Sequence, residues 1–168
     1  GSGIRLGQSV GGKTDHMDRV TAWRFLNPPL AFAQGIVVNK NGRRFCNEMV
    51  YGATLGDAMC EKNDGKAYLI VDEKLFNDAK KQSKEALPFQ RDMARMLMYF
   101  NAKKKNNLID LAKVYNLPAD SLSEEIKKYN QAARSQSPCE FGKGATDVQE
   151  LNGPFHIMDI SIDSKLAP

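Results

Sequence analysis

The sequence has few of the residues that build covalent or metal-held frameworks. It contains three cysteines, Cys46, Cys60 and Cys139, and only two histidines. An odd number of widely spaced cysteines fits neither a disulfide framework nor a zinc site. We therefore predict a protein without a metal centre that works in a reducing compartment, and we assign it to the cytoplasm.

Long apolar runs are also missing. The longest, Ala67–Val71 and Met96–Phe100, end quickly at polar or charged residues, whereas a membrane-spanning helix needs about 20 consecutive apolar residues. The first residues lack the charged-then-apolar order that is typical of a secretory signal. We expect no transmembrane segment.

Charge of one sign does not dominate the chain. Of its 168 residues, 24 are Lys or Arg and 20 are Asp or Glu, which gives a net charge of +4. This value is far below the basic density of a dedicated nucleic-acid binder. The run Lys103–Lys105 contains no aromatic residue, and we predict that it is a solvated loop. No nucleic-acid partner is expected.

The dinucleotide-binding fingerprint, Gly-x-Gly-x-x-Gly after a strand, is missing too. The residues that are present are 42% hydrophobic and 26% charged, which is typical of a soluble globular chain. The length fits one domain, or one large lobe of a bigger protein.

The clearest local signal is a β-hairpin. Residues 35–39 are predicted to form a strand, 40–42 a turn with an Asn-Gly pair, and 43–48 the returning strand. Further strands are predicted over 67–72 and 155–162, and helices over 53–61, 73–82, 90–100, 108–115 and 121–134. Strands separated by several helices predict an α+β fold, with a small mixed sheet and a hairpin flanked by helices.

Two of the predicted helices carry additional signals. Four residues recur at helical spacing and are predicted to be core: Met93, Met96, Leu97 and Phe100. Ser121 and Glu124 have the spacing of a capping box at the start of the last helix. Three residues of that helix are predicted to face inward: Leu122, Ile126 and Tyr129.

Three glycines stand four residues apart at the start of the chain: Gly3, Gly7 and Gly11. On a helix they would form a bare stripe, and each costs an isolated helix about 1 kcal/mol relative to alanine. We expect close packing against another element to offset this cost. The last predicted strand stands next to the C-terminus and is expected to leave an unpaired edge. Both features suggest packing partners outside the chain.

Four segments of the chain carry a common pattern: residues 1–12 with 16–18, residues 35–48, residues 67–72 and residues 152–156. Together they resemble one known family, the fumarate-reductase-type flavoproteins. Residues 1–12 with His16-Met17-Asp18 are similar to the exit from the flavin domain. Residues 35–48 resemble the family's hairpin, whose pattern is VN-x-x-G-x-RF-x-NE, and residues 67–72 match the strand that follows it. Residues 152–156 resemble the segment that returns the chain to the flavin domain.

The resemblance implies a protein of two parts, a split domain that holds FAD and an inserted cap domain that closes over the substrate. Residues 1–12 would end the FAD-binding domain, 13–154 would form the cap, and 155–168 would be a strand returning toward the FAD-binding domain. FAD would be bound mainly by that domain, which lies outside this chain and is the expected partner. Within the cap, the residues implied at the cofactor are Arg44, Asn47 and Glu48.

The resemblance also bears on the substrate. Fumarate reductases place a proton-donating arginine four residues after the hairpin glutamate, where this chain has Gly52. They also seat dicarboxylates with a glutamate and an arginine, where this chain has Pro28 and Ala31. Tyr51 instead matches a tyrosine of ketosteroid dehydrogenases that takes part in proton removal. Residues 47–53 resemble the 3-ketosteroid Δ4-(5α)-dehydrogenase branch.

The implied activity is dehydrogenation of a CH–CH group next to a ketone by the full-length enzyme, on an apolar substrate such as a 3-ketosteroid, with the fragment alone inactive. Tyr51 is the implied catalytic residue, and Trp23, Phe25 and Gly52 are the implied substrate-binding residues. The reaction needs a base for the acidified proton and a flavin to accept the hydride. A tyrosine can be that base only if its phenolate is stabilised.

Two alternatives stay open. The chain could cap a fumarate-reductase-like enzyme acting on a small unsaturated acid, or it could be a standalone, non-catalytic binding module. Single residues also have plainer explanations: Tyr51 and Trp23 can be packing residues, and Arg44 and Glu48 can form a structural ion pair on one strand face. Two histidines are expected to be structural or surface residues: His16 and His156.

Overall fold

The sheet is small and entirely antiparallel. In a computed structural model that describes residues 1–17 and 22–164, its strands are β1 (Ile36–Val38), β2 (Tyr68–Asp72), β3 (Lys103–Lys105) and β4 (Phe155–Asp159). The order across the sheet is β1-β2-β4-β3. The α+β class is therefore confirmed, with an antiparallel sheet in place of a mixed one.

Helices surround this sheet. The described part of the chain contains seven α-helices: α1 (Ser2–Ser9), α2 (Leu30–Ala33), α3 (Gly52–Asn63), α4 (Glu73–Glu85), α5 (Pro88–Met96), α6 (Leu108–Lys113) and α7 (Ala119–Arg134). A π-helical turn over Leu97–Asn101 continues α5. No helix in residues 1–17 or 22–164 combines the length and the apolar character that crossing a membrane requires.

The two central strands hold the core. Every residue of β2 except Tyr68 is buried, and every residue of β4 except Asp159. The short apolar run in β2 is the pattern of a strand covered on both faces. The three residues predicted to face inward from α7 are all buried: Leu122, Ile126 and Tyr129.

The last strand, β4, lies inside the sheet between β2 and β3. The expectation that this strand leaves an unpaired edge is therefore wrong. The lysine run predicted as a loop forms the outer strand β3, and all three of its residues are exposed. Charged side chains on an edge strand discourage pairing with another chain. Two sets of residues used in the sequence interpretation lie outside the described residues: Asp18 and residues 165–168.

The predicted hairpin keeps its turn but not its second strand. Gly42 has φ of +68°, a conformation that glycine adopts at no steric cost. A single bridge joins Val38 to Arg44, and the returning segment then leaves the sheet. A side chain replaces the missing strand, because the Glu48 carboxylate accepts the amide of Val37 at 3.0 Å.

The start of α7 differs from the prediction. The helix begins at Ala119, and no side chain caps its first turn, so the capping box of Ser121 and Glu124 is wrong. The Glu124 carboxylate does not bond the start of the helix but forms an ion pair with the Arg43 guanidinium at 2.6 Å. The start of α4, in contrast, is capped by the Asp72 carboxylate.

The apolar stripe predicted as core is mostly not buried. Leu97 is buried, whereas Met93 is half-buried and Met96 and Phe100 are exposed. The amide of Ala102 donates to the carbonyl of Leu97 at 3.1 Å, which is the i to i+5 bond of a π-helix. This wider turn interrupts the spacing that would keep the four residues on one face.

Helix α1 is exposed along its whole length. A Cβ placed on Gly3 or Gly7 would meet no heavy atom within 4 Å. The glycine stripe therefore has no packing partner in residues 1–17 and 22–164.

Candidate functional site

A buried ion pair anchors the segment that precedes α3. The Arg44 guanidinium donates to both carboxylate oxygens of Glu48 at 2.8 Å, and the two side chains are 3% and 0% exposed. Two-point pairing of this kind is strong and geometrically specific. Burial opposes the charge on Arg44, but the hydrogen bonds and charge of Glu48 outweigh burial and raise the pKa of Arg44. The predicted ion pair between Arg44 and Glu48 is therefore confirmed, although the two residues do not lie on a strand.

A second cation reaches the same carboxylate. The fully buried Lys143 ammonium donates to the Gly35 carbonyl at 2.7 Å and to Glu48 at 3.2 Å. Burial lowers the pKa of Lys143 despite the nearby negative charge. Arg44 and Lys143 lie 5.1 Å and 4.9 Å from the centroid of the Tyr129 ring, within the range of cation–π contacts. These contacts fix the start of β1, the Arg44–Glu48 segment and the loop after α7 relative to each other.

Three exposed aromatic side chains form a patch, which we call the aromatic patch: Trp23, Phe25 and Tyr51. The ring centroids of Tyr51 and Trp23 are 4.9 Å apart, and those of Trp23 and Phe25 are 5.3 Å apart. The three residues are 61% (Tyr51), 43% (Trp23) and 39% (Phe25) exposed. Exposed apolar surface that is contiguous in this way is typical of an interaction or ligand site.

Close backbone contacts hold the aromatic patch in place. A Cβ on Gly52 would stand 2.8 Å from the carbonyl oxygen of Arg24, and a Cβ on Gly56 would overlap the carbonyl oxygen of Ala22. The Arg24 amide also donates to the carbonyl of Gly52 at 3.1 Å. The first turns of α3 therefore need glycine so that the segment carrying Trp23 can cross them.

Arg24 also ties this segment to the end of the sheet. Its guanidinium donates to the carbonyl oxygens of Ile160 at 2.9 Å, Ser161 at 2.7 Å and Ile162 at 2.7 Å. These residues directly follow β4. The chain therefore enters and leaves the sheet region along adjacent paths.

The aromatic patch borders a cleft of about 250 Å³. Four of the residues predicted from the sequence line this cleft: Phe25, Glu48, Tyr51 and Gly52. Asn47 shapes the loop beside it, because its side-chain oxygen accepts the Met49 amide at 2.9 Å. Trp23 contacts the cleft's rim through Tyr51, and Arg44 lies behind Glu48. The roles assigned to these residues stay predictions.

Two residues of α5 extend this apolar surface: Phe89, which belongs to no pattern in the sequence, and Met93, which the helical spacing predicted to be core. Phe89 and Met93 surround a smaller cleft of about 90 Å³ together with Phe25 and Phe32. Because Phe25 lines both clefts, the apolar surface continues from Tyr51 to α5. Lys143 was missed as well, since it lies in a loop without any motif. Only the packing of distant segments brings these residues to the site.

Residues 7–14 match the sequence patterns of two known motifs, Gly-x-Ser-x-Gly and Gly-x-x-x-x-Gly-Lys-Thr. They do not have the secondary structure in which either motif occurs. Ser9 ends α1 and donates its hydroxyl to the Leu6 carbonyl at 2.7 Å, whereas the serine of a Gly-x-Ser-x-Gly elbow stands between a strand and a helix. The Gly-x-x-x-x-Gly-Lys-Thr run of a phosphate-binding loop opens a helix, but here residues 12–16 are not helical. Neither pattern marks a site.

The two histidines lie away from the aromatic patch. His16 is exposed near Asp15. His156 is buried in β4, stacks on Phe76 with 3.8 Å between the ring centroids, and lies 2.8 Å from a Glu73 carboxylate oxygen. They are a surface residue and a structural residue, respectively.

Comparison with known proteins identifies relatives of the whole chain, although no family model matches it. The chain is 41% identical over 171 residues to the 3-oxo-5-alpha-steroid 4-dehydrogenase of Comamonas testosteroni, covering 100% of this chain and 32% of that protein. The 3-ketosteroid-Δ4-(5α)-dehydrogenase from Rhodococcus jostii RHA1, solved with 4-androstene-3,17-dione, matches with a TM-score of 0.74 and 25% identity, over 95% of this chain and 31% of that one. A solution structure of a fumarate reductase flavoprotein subunit from Lactobacillus plantarum matches with a TM-score of 0.60 and 20% identity, over 86% and 94% of the two chains.

These similarities confirm the resemblance to steroid-dehydrogenase and fumarate-reductase flavoproteins and the fold that it implied. The named relatives are oxidoreductases, and this chain spans only 32% of the length of the first of them. The Lactobacillus plantarum chain, in contrast, consists almost entirely of the same fold.

Proposed function

We propose that this chain is the cap domain of an FAD-dependent oxidoreductase that dehydrogenates a CH–CH bond next to a ketone, and that its substrate is a 3-ketosteroid. The observation that carries this proposal is the exposed aromatic patch at the mouth of a cleft, with Tyr51 at its rim. Aromatic walls with few polar groups suit a flat, apolar ring system. The similarity to two steroid dehydrogenases, one of them solved with a steroid, supports the substrate class.

Tyr51 is the proposed base. It is the N-cap residue of α3, so its side chain starts at the positive end of the helix dipole, where negative charge is favoured. Tyr51 takes the proton from a carbon next to the ketone, and Trp23 and Phe25 hold the ring system and exclude water. When bound, FAD supplies the acceptor for the hydride that leaves the neighbouring carbon, so that the carbon–carbon double bond forms.

The described residues are better suited to cover FAD than to provide its main binding site. The aromatic patch offers ring faces to a flat group, but no lysine or arginine among the described residues lines the cleft to hold a diphosphate. The side chains of Arg44 and Glu48 are engaged with each other in the interior, so we assign them the positioning of the loop that carries Asn47 and Tyr51. FAD is then held mainly by a domain outside this chain.

We further propose that the cap is inserted into that domain, with residues 1–12 belonging to the FAD-binding part. Arg24 holds the entering segment beside the residues that follow β4, and adjacent entry and exit points are what an inserted domain needs. The glycine stripe of α1 then packs on the FAD-binding domain. Because β4 pairs within the cap sheet, and the amides of Ile160 and Ile162 go on to bond the segment before β2, we place the end of the cap past residue 154.

A cap for a small unsaturated acid is the second candidate, since the fold is shared with a fumarate reductase subunit. A proton-donating arginine at position 52 finds no space, because a Cβ there would stand 2.8 Å from the carbonyl oxygen of Arg24. We therefore favour the ketosteroid.

The full-length enzyme loaded with FAD tests the proposal, with an artificial electron acceptor as the readout. We expect turnover of 3-ketosteroids and no turnover of fumarate. Tyr51→Phe should lower kcat by about 100-fold to 10,000-fold, whereas Tyr68→Phe, at a half-buried tyrosine of β2 outside the cleft, should leave it unchanged. A full rate in Tyr51→Phe would remove this tyrosine from the mechanism.

The isolated chain gives an independent test of the cap assignment. Mixed with excess FAD and then desalted, it should retain no yellow colour, and it should be inactive. Tight FAD binding by this chain would contradict the cap assignment. A full-length protein that turns over neither ketosteroids nor unsaturated acids would favour the non-catalytic binding module.

A further inference from the structure

Another apolar cavity, separate from the two clefts described above, lies between α4 and the end of α5. Its volume is about 510 Å³, within the range of about 300–1,000 Å³ that is usual for small-molecule sites. Five apolar residues line it: Phe76, Met96, Met98, Tyr99 and Phe100. It shares no residue with the cleft beside Tyr51, so it is a separate feature of the surface.

Two cations complete the lining, Lys80 and Arg95. The Lys80 ammonium lies 4.6 Å from the centroid of the Phe76 ring. Among the described residues neither cation has a carboxylate partner, and no aspartate or glutamate lines the cavity. Two other basic residues of the same helices have acidic partners: Lys81 with Asp78, and Arg91 with Asp92.

The apolar lining is open to water. Met96, Tyr99 and Phe100 are all exposed, and the last two lie in the π-helical turn that continues α5. Methionine and aromatic side chains together make walls that adapt to the shape of an apolar ligand. The cavity thus combines uncovered apolar area with two unpaired positive charges.

We propose that this cavity binds a single amphipathic anion, an apolar hydrocarbon body that carries one carboxylate. The body lies against the methionine and aromatic side chains, where it removes their surface from water. The carboxylate lies within reach of Lys80 and Arg95, and no carboxylate in residues 1–17 or 22–164 competes for them. Charge of this sign at the cavity selects an anion over a neutral or cationic ligand of equal size.

Calorimetric titration of the chain with sodium decanoate tests the proposal, with decanol and decyltrimethylammonium as matched ligands. We expect saturable binding of one decanoate, and weaker binding of both other ligands. Lys80→Gln and Arg95→Gln should each weaken decanoate binding by about 1.5-fold to fivefold, the range for exposed ion pairs. Lys81→Gln and Arg91→Gln are the controls and should leave the affinity unchanged.

Three outcomes would overturn the proposal. One is the absence of saturable decanoate binding, and another is equal affinity for the three ligands. The third is an outcome with anionic phosphatidylglycerol vesicles. If the chain sediments with these vesicles, if Lys80→Gln abolishes that sedimentation, and if monomeric decanoate does not bind, the surface binds a membrane.

Phe100→Ser, at an exposed position, should weaken the binding of all three ligands by the same factor. This variant separates the apolar contribution to binding from the contribution of charge.

Discussion

The ammonium group of Lys143 lies 3.2 Å from the same carboxylate oxygen of Glu48 that Arg44 binds at 2.8 Å. Two buried cations thus share one buried carboxylate. The other oxygen of Glu48 accepts the amide of Val37, so a single side chain connects β1, the loop before α3 and the loop after α7. The stability of the site therefore depends on one negative charge.

Glu48→Gln should destabilise the chain strongly, because it leaves two buried cations without a counter-charge. We expect a loss of about 3–5 kcal/mol in the free energy of unfolding, measured by urea denaturation. Glu124→Gln is the matched control, since it removes only partly exposed ion pairs, with Arg43 and Lys128, and should cost about 1 kcal/mol or less. Equal losses in the two variants would contradict a central role for Glu48.

The buried thiol of Cys46 should make the stability of the chain fall at alkaline pH. Burial, followed by the charge of Glu48, raises the pKa of its thiol to about 12, whereas an unfolded cysteine has a pKa of about 8.5. The stability from this group is therefore complete below about pH 8.5 and is lost as the pH rises toward 12. The free energy of unfolding should fall over that window, and Cys46→Ala should make the fall shallower.

The same burial should show in thiol labelling. At about pH 8 we expect a thiol reagent to modify the exposed Cys60 and to reach Cys46 only when the chain unfolds. Mass spectrometry of the digested protein identifies the modified residue. Rapid labelling of Cys46 in the folded chain would show that it is not buried.

Gly56→Ala should displace the aromatic patch. The added methyl group would overlap the carbonyl oxygen of Ala22, so the segment that carries Trp23 must move. We expect a loss of about 1–3 kcal/mol in stability and a shift in the fluorescence of Trp23, the one tryptophan of the chain. Gly7→Ala is the control: its methyl group meets nothing within 4 Å, so Trp23 emission should not change. Unchanged emission in Gly56→Ala would mean that α3 does not hold the segment.

The titration of Glu73 and His156 should lower the free energy of unfolding as the pH falls. Hydrogen bonds from Lys104 and then His156 lower the pKa of Glu73 to about 2, so its contribution is present above about pH 4.3 and lost as the pH falls toward 2. Burial lowers the pKa of His156, so protonation of the unfolded chain below about pH 6.5 acts in the same direction.

Glu73→Gln separates these two contributions. The Glu73 carboxylate raises the pKa of His156 against the effect of burial, so the variant should lower that pKa further. An NMR titration of the imidazole measures the shift, with Glu85→Gln, at an exposed residue of the same helix, as the control. An unchanged titration in Glu73→Gln would show that the contact does not form in solution.

Local patterns predicted the parts of the fold that depend on neighbouring residues. The Asn-Gly turn at Gly42, the buried strand β2 and the inward face of α7 all follow from short-range rules. The capping box at Ser121 failed because Glu124 has a better partner, the Arg43 guanidinium, in a distant segment. The returning hairpin strand failed because Glu48 satisfies the Val37 amide that a strand would have bonded.

By itself, the sequence determined the α+β class, the positions of most helices and strands, and the family resemblance, since these depend on residues close together in the chain. Only the tertiary structure decided that β4 is an inner strand, that Lys143 joins the Arg44–Glu48 pair, and that Phe89 and Phe25 line one cleft. The cavity lined by Lys80 and Arg95 also depends on tertiary structure, because it lies where α4 packs on α5. The physical reason is that strand order and buried charge pairing depend on which distant segments meet, and nothing in the local pattern encodes that choice.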